Sequence, residues 1–403
     1  MGAVKVKMEE VSDNLQKIHS ELSFQFVERD EALKSILISI LSGHHCYLLG
    51  PYGSAKTALI KAVASRIDAK LFHIPLHRQT TEERLFGNWD LAKIREENVW
   101  EHKTENTLVD AEICILDEAH EGSSALLNTL LPVLNEREVR INDEMKQLPL
   151  LSAFGVSTEA LSDQELSPLW DRFLIRVYVD YVQSNSNFID MLQTPAEWHE
   201  KKTTIELKDL QYVIRNVIPH IPVPMGILHD MADIREEFRN QELNHVSDRR
   251  WRWTLDILRA SAFFHGRQEV NELDTPILYD ALWDMPEQRK DIKKIIDSIC
   301  NKDLLTVEAF TVEVTKMSAE VSEEDKTRIK EFHVKLKTVR DQVSALIPDM
   351  KMNADQMKAL DELVTVGNDF RKKVYQWQTI VQTPVDEFIA NDPFLKGYPH
   401  VSR

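Results

Sequence analysis

Apolar and polar positions change rhythm along the chain in three stretches. From about residue 20 to 182, short apolar runs ("CYLLG", "KLFHIPL", "EICILDE", "LLSAFGVST", "FLIRVYV") alternate with segments such as "RDEALKSILISILSG" and "SSALLNTLLPVLNERE", whose apolar residues recur every three or four positions. Unbroken apolar runs read as strands buried on both faces, and their alternation with amphipathic helices predicts an α/β domain, a mostly parallel sheet with helices on both sides. From about 183 to 298 the spacing stays at three and four, as in "RWTLDILRASAFF" and "TPILYDALWDM", and strand-like runs fade. That pattern predicts an all-α lid domain. Beyond Asp303, "LLTVEAFTVEVTK" reads as a two-stranded piece. It leads into a helix with Ile329, Phe332, Leu336, Val339, Val343 and Leu346 in a heptad seam. A second helix, after the turn at "IPDMKMN", carries Leu363, Val366, Phe370, Val374, Trp377 and Val381. Two such helices, over residues 321 to 383, predict a C-terminal helical hairpin.

Composition narrows the partners. A chain of 403 residues, 43% apolar and 29% charged, is long enough for two or three domains with cores of their own. Its net charge of −17 repels phosphate backbones, so nucleic acid is not expected as a partner. Nor is membrane insertion, because no run approaches the roughly 20 apolar residues that span a bilayer. The N-terminal segment "MGAVKVKMEEVSDNLQKIHSEL" is charged throughout and has no apolar signal core, so a cytoplasmic chain is expected. Cys46, Cys114 and Cys300 lie far apart without C-x-x-C spacing and read as reduced core residues. His44 and His45 have no second ligand pair at zinc spacing, so a structural reading is preferred for them.

Candidate chemistry starts in "YLLGPYGSAKTALIKA", where Gly50, Lys56 and Thr57 match the phosphate-loop pattern G-x-x-x-x-G-K-[ST] while Ala55 replaces its last glycine. The alternative is a plain strand–turn–helix. An apolar strand precedes the loop, and the helix after it carries Leu59, Val63 and Ile67, which is the context the motif requires. The loop Gly50, Pro51, Tyr52, Gly53, Ser54, Ala55, Lys56 and Thr57 would then surround the phosphates of ATP with its backbone N–H groups, which every residue but Pro51 carries. Lys56 would offset their charge, and the Thr57 hydroxyl would bind Mg²⁺. Ala55 is expected to tolerate its methyl group because the position reads as already helical. About 60 residues on, "AEICILDEAHE" ends a buried strand in Asp117 and Glu118. Asp117 would hold the magnesium, and Glu118 would polarise the attacking water.

With these motifs in place, the chain resembles AAA+ ATPases of the MoxR family, and most of all their RavA branch, over roughly residues 20 to 300. The resemblance is carried by "ERDEALKSILISILSG", "GPYGSAKT", "TEERLFG", "ILDEAHEGSSALLNTLLPVLNERE", "LWDRFLIRVYVD" and "VSDRRWRWTLDILRASAFFHGR". RavA-type proteins share the alanine at the loop position of Ala55. The resemblance implies an AAA+ core over 21–182 and an all-α lid over 183–300; outside it lie an N-terminal helical segment over 1–20 and a C-terminal region over 301–403, whose helical hairpin reads as an interaction element. The resemblance places pore-facing hairpins at "GNWDLAKIREENVWEHKTE" and "REVRINDEMKQLPL". It makes Thr158 the first sensor, with Ser157 beside it, Arg172 the arginine finger, and either Arg249 or Arg250 the second sensor.

A finger that acts on a neighbour's ATP implies a homo-oligomeric, hexameric ring. The resemblance further implies a protein client and a von Willebrand A domain partner. Two other readings stand beside this ATP-driven remodeller. One is a nucleotide-dependent scaffold with slow turnover, and the other, disfavoured by the acidic balance, is a DNA-remodelling motor.

Overall fold

The computed structural model describes residues 2–301 except 98–101, 142–143, 161–166, 195–201 and 244–245, together with positions 310–311, 314–316, 339, 363 and 365–366. Five strands, β1 (His45–Leu49), β2 (Leu71–Pro75), β3 (Ile113–Asp117), β4 (Ser152–Ser157) and β5 (Phe173–Tyr178), form a parallel sheet in the order β2-β3-β4-β1-β5. All residues of β1 and β4 are buried, whereas the edge strand β2 buries only Ile74. Central parallel strands are covered on both faces, and this is why they appear in the sequence as unbroken apolar runs.

The helices follow their apolar spacing. They are α1 (Gly2–Gln25), α2 (Asp30–Ser42), α3 (Lys56–Ala64), α4 (Ser124–Glu136), α5 (Leu207–Asn216), α6 (Met225–Asn240) and α7 (Asp248–Phe264). In α4, Ser123 caps the first turn by accepting from Leu126 N–H at 3.2 Å, and Leu126, Leu127, Leu130, Val133 and Leu134 make one buried face. The α2 helix begins with Asp30 and Glu31 and stops at left-handed Gly43.

The chain falls into two compact units, Met1–Lys293 and Lys294–Arg403. Within the first, α1 buries Val11, Leu15, Ile18 and Leu22 and packs on α2, α5 and α7. Ser12 Oγ and Gln16 Nε2 each donate at 2.9 Å to the carbonyls of Phe263 and Phe264, which close the C-terminal end of α7. The segment "TPILYDALWDM" is partly a 3₁₀ helix, Glu272–Asp280, entered through an Asn271 cap and containing Pro276. In the second unit, the stretch read as two strands is helical at its described residues, 310–311 and 314–316. There Thr315 Oγ1 donates to the Thr311 carbonyl at 2.7 Å, a helical i to i−4 contact. The hairpin over 321 to 383 lies outside the described residues, apart from Val339, Leu363 and 365–366, which are helical.

Candidate active site

The phosphate loop leaves the C-terminal end of β1. A Cβ at Gly50 (φ 150°) would lie 2.0 Å from the Val179 carbonyl oxygen, so the chain can pass β5 there only as glycine. Ala55 adopts φ 71°, ψ 13°, immediately before α3. The expectation that this position is helical is therefore corrected: it is left-handed, a conformation that disfavours an L side chain by about 1–2 kcal/mol. Lys56 is folded back into the loop, where Nζ donates to the carbonyls of Gly50 at 2.7 Å and Pro51 at 2.8 Å. Burial lowers the pKa of its ammonium, and the carboxylates of Glu118 and Asp117 act in the opposite direction. Ser54 Oγ donates to the Pro51 carbonyl at 2.9 Å, and Tyr52 is exposed at the loop tip.

Three supports of this loop were missed by the sequence reading. Arg29 Nη2 donates to the Asp180 carbonyl at 2.6 Å and its Nε to the Ser54 carbonyl at 3.4 Å. Glu28 accepts from the N–H groups of Gln183 at 2.7 Å and Ser184 at 3.0 Å. Tyr181 Oη donates to the Tyr52 carbonyl at 2.9 Å. Together they tie the loop to the segment that follows β5.

At the end of β3, Thr57 Oγ1 donates to Asp117 Oδ2 at 3.2 Å, and His73 Nε2 lies 3.1 Å from the same oxygen. A hydroxyl and a carboxylate oxygen side by side suit a hard divalent cation such as Mg²⁺. Among the described residues no cluster of three or more His, Cys, Asp or Glu could hold a metal ion, so phosphate oxygens would have to complete the shell. Glu118 is left-handed (φ 51°, ψ 46°). Ser157, the fully buried last residue of β4, has its Oγ 2.7 Å from His120 Nδ1, which in turn lies 3.5 Å from Glu118 Oε2. Thr158, the residue after the strand, is half-buried.

Arg172 lies at the opposite end of the strands. The register pairs His45 with Phe173 and Leu49 with Tyr178, so Arg172 precedes the start of β5 while Gly50 follows the end of the neighbouring β1. Six residue steps separate these levels, roughly 20 Å along the strands. Arg172 Nη1 bonds Asp171 Oδ2 at 3.2 Å, and its buried Nε has no acceptor among the described residues. Burial, and the nearby Arg249 cation, lower its pKa.

The two second-sensor candidates separate cleanly. Arg249 is exposed, with Cζ 5.8 Å from the Trp253 ring centroid. Arg250 is 2% exposed, and donates to Asp284 Oδ1 at 2.7 Å and to the Ala281 carbonyl at 2.7 Å. Asp284 also pairs with the fully buried Arg176 of β5, whose guanidinium lies 4.3 Å over the Trp170 ring. Ser247 joins the two arginine regions: its backbone starts α7, and its hydroxyl donates to Asp171 Oδ1 at 3.1 Å.

The other sequence motifs have structural counterparts. Strand pairs Asn88–Trp89 with His102–Lys103, and Glu138–Ile141 with Glu144–Gln147, are both antiparallel and stand at the two expected hairpin positions. Cys46 and Cys114 are buried thiols, and neither they nor Cys300 form a disulfide. His45 is buried between Leu134 O and Ala153 N, each 2.9 Å from a ring nitrogen, a structural role. No helix among the described residues is long and apolar enough to cross a membrane.

Comparison with known proteins agrees with this geometry. A family model for the MoxR domain in MoxR-vWA-beta-propeller ternary systems matches residues 13–216, just over half of the chain, and an AAA lid domain model matches 226–296. The uncharacterized protein MJ0079 of Methanocaldococcus jannaschii is 34% identical over 295 residues, covering 73% of this chain and 77% of that protein. Chaperone MoxR1 of Mycobacterium tuberculosis is 24% identical over 213 residues, covering 51% of this chain and 55% of that protein. A crystal structure of a Cytophaga hutchinsonii protein, whose name proposes an ATPase, superposes with a TM-score of 0.60 at 18% identity, over 74% of this chain and 96% of that one. At that identity the likeness is one of fold.

Proposed function

The chain belongs to the MoxR family of AAA+ ATPases, and on that premise we propose that it binds ATP with Mg²⁺ and hydrolyses it at the subunit interfaces of a homo-oligomeric ring. The observation that carries the interface is the division of the site between the two ends of the strands of one sheet. The cradle, Thr57, Asp117 and Glu118 stand at the C-terminal ends of the strands, and Arg172 stands at the other end, roughly 20 Å along them. A guanidinium so placed serves a neighbour's nucleotide.

In this reading Lys56 leaves the loop carbonyls for the phosphates, and the N–H groups at the start of α3 hold the phosphate oxygens. Mg²⁺, when bound, offsets phosphate charge, with Thr57 and Asp117 as its protein ligands. Glu118 orients the attacking water and Thr158 serves as first sensor. Arg172, accompanied by Arg249, meets the charge that develops on the adjacent subunit's γ-phosphate. Arg250, locked in its buried pair with Asp284, holds the lid helix in place. The alanine at 55 supports a position near the RavA branch. The matched family's description supports a von Willebrand A domain partner, on which the ring would act as a remodeller of proteins.

Binding and turnover of ATP by Lys56→Ala and Glu118→Gln test the assignment. The lysine variant should lose nucleotide binding, and the glutamate variant should keep binding and lose turnover, because one group contacts the ground-state phosphate and the other the water. Equal loss of affinity in both would refute these roles.

A further inference from the structure

One side chain between β4 and the Glu118 carboxylate has no place in the roles above. Glu118 is left-handed, and Glu121 N–H bonds back to the Glu118 carbonyl at 2.9 Å, so Ala119–Glu121 winds into one 3₁₀ turn. That turn brings His120 to the end of β4. Its Nδ1 lies 2.7 Å from Ser157 Oγ and 3.5 Å from Glu118 Oε2, and its Nε2 lies 3.5 Å from Glu121 Oε1. A left-handed non-glycine residue is strained, and such strain persists where the surroundings over-determine it, most often at functional sites.

The hydrogen bonds set the triad in place. Ser157 Oγ accepts from Glu159 N–H at 2.9 Å and keeps both its proton and a second lone pair for His120 Nδ1. Either tautomer of the ring can therefore bond Ser157, and in either one the imidazole is fixed between the end of β4 and the Glu118 carboxylate. Glu118 Oε2 is buried and accepts no hydrogen bond among the described residues, and the imidazole 3.5 Å away is a polar group that can hold it there.

We propose that His120 is a positioning residue for ATP hydrolysis, anchored by its hydrogen bond to Ser157 so that the imidazole holds the Glu118 carboxylate in place. Ser157 is then the side chain through which β4 is coupled to the base, independently of any sensing by Thr158. The inference rests on the ATPase reading above.

The test uses the full chain and two readouts, turnover at saturating ATP with Mg²⁺ and affinity for a fluorescent ATP analogue. His120→Ala should lose about tenfold or more in kcat with analogue affinity kept within about twofold. His120→Asn, whose amide can hydrogen-bond Ser157 where Nδ1 did, should recover most of that loss. Ser157→Ala should lose about as much as His120→Ala, and the double variant no more than either, because the two act as a unit. Turnover by His120→Ala within about twofold of wild type, or losses that multiply in the double variant, would overturn the proposal. So would a His120→Ala that loses nucleotide affinity and is not rescued by asparagine, since that behaviour belongs to a folding role. A wild-type chain without any ATP turnover removes the ATPase reading and this inference with it. An active wild type beside an equally active His120→Ala removes this inference alone.

Discussion

Ala55 puts a methyl group on a backbone that glycine would adopt without strain, at the turn just before α3. Replacing it tests how that strain is distributed. Ala55→Gly relieves about 1–2 kcal/mol of left-handed strain, but it also adds about 0.5–1 kcal/mol of unfolded-chain entropy. The net expectation is a gain of up to about 1 kcal/mol, seen as a higher melting temperature, with ATP affinity little changed. A melting temperature several degrees lower would show that the alanine methyl makes a packing contact the strain argument leaves out. The same reasoning separates Gly50, where a side chain would meet the Val179 backbone at 2.0 Å, from Gly53, which has open space around it and needs glycine only for its φ of 75°.

The start of α7 shows how an element gives adjacent residues different duties. Successive positions on a helix point about 100° apart, so Arg250 faces the core and Arg249 faces solvent. Arg250→Ala removes one cation from a buried pair and leaves the carbonyls of Ala281 and Trp283 short of a donor. The expected loss is about 3 kcal/mol, read as a marked fall in melting temperature. Arg249→Ala should leave the melting temperature unchanged and lower turnover instead. If Arg250→Ala melts like wild type and Arg249→Ala does not, the assignment of the two arginines is reversed.

At the scale of the whole molecule, parallel strand direction decides where the chemistry can occur. All five strands end on the side of the cradle, so the segment before β5 emerges on the far side and carries Arg172 with it. Arg172→Ala and Glu118→Gln should each be inactive alone. In the proposed ring, mixed assemblies would contain interfaces where an intact Glu118 meets an intact Arg172, so partial ATPase activity should return. An arginine finger contributes on the order of a thousandfold in rate, and that makes the recovery measurable. Confirmed mixed oligomers that stay silent at every ratio would mean either that Arg172 does not act in trans or that every site must be competent. Doping wild-type rings with each variant separates these outcomes, since all-site coupling gives a steep loss of activity and a local finger a proportional one.

By itself, the sequence determined whatever depends on consecutive residues. The runs "CYLLG" and "EICILDE" announced central parallel strands because burial on both faces demands unbroken apolar side chains, and β1 and β3 have that burial. The cradle, with Asp117 and Glu118, was legible because strand–loop–helix chemistry is local. What only the tertiary structure decided depends on partners far along the chain. Asp284 lies 34 residues beyond Arg250, and nothing in "SDRRW" says which arginine it will take. Ser157 meets His120 across 37 residues because β4 and β3 lie side by side in the sheet, a neighbourhood that no local motif reports. The alternation in "TVEVT" fits a strand over so short a span, yet its described residues are helical. The handedness of Ala55 is likewise a property of the closed loop: the turn from β1 into α3 needs one left-handed residue there, whichever side chain occupies the position.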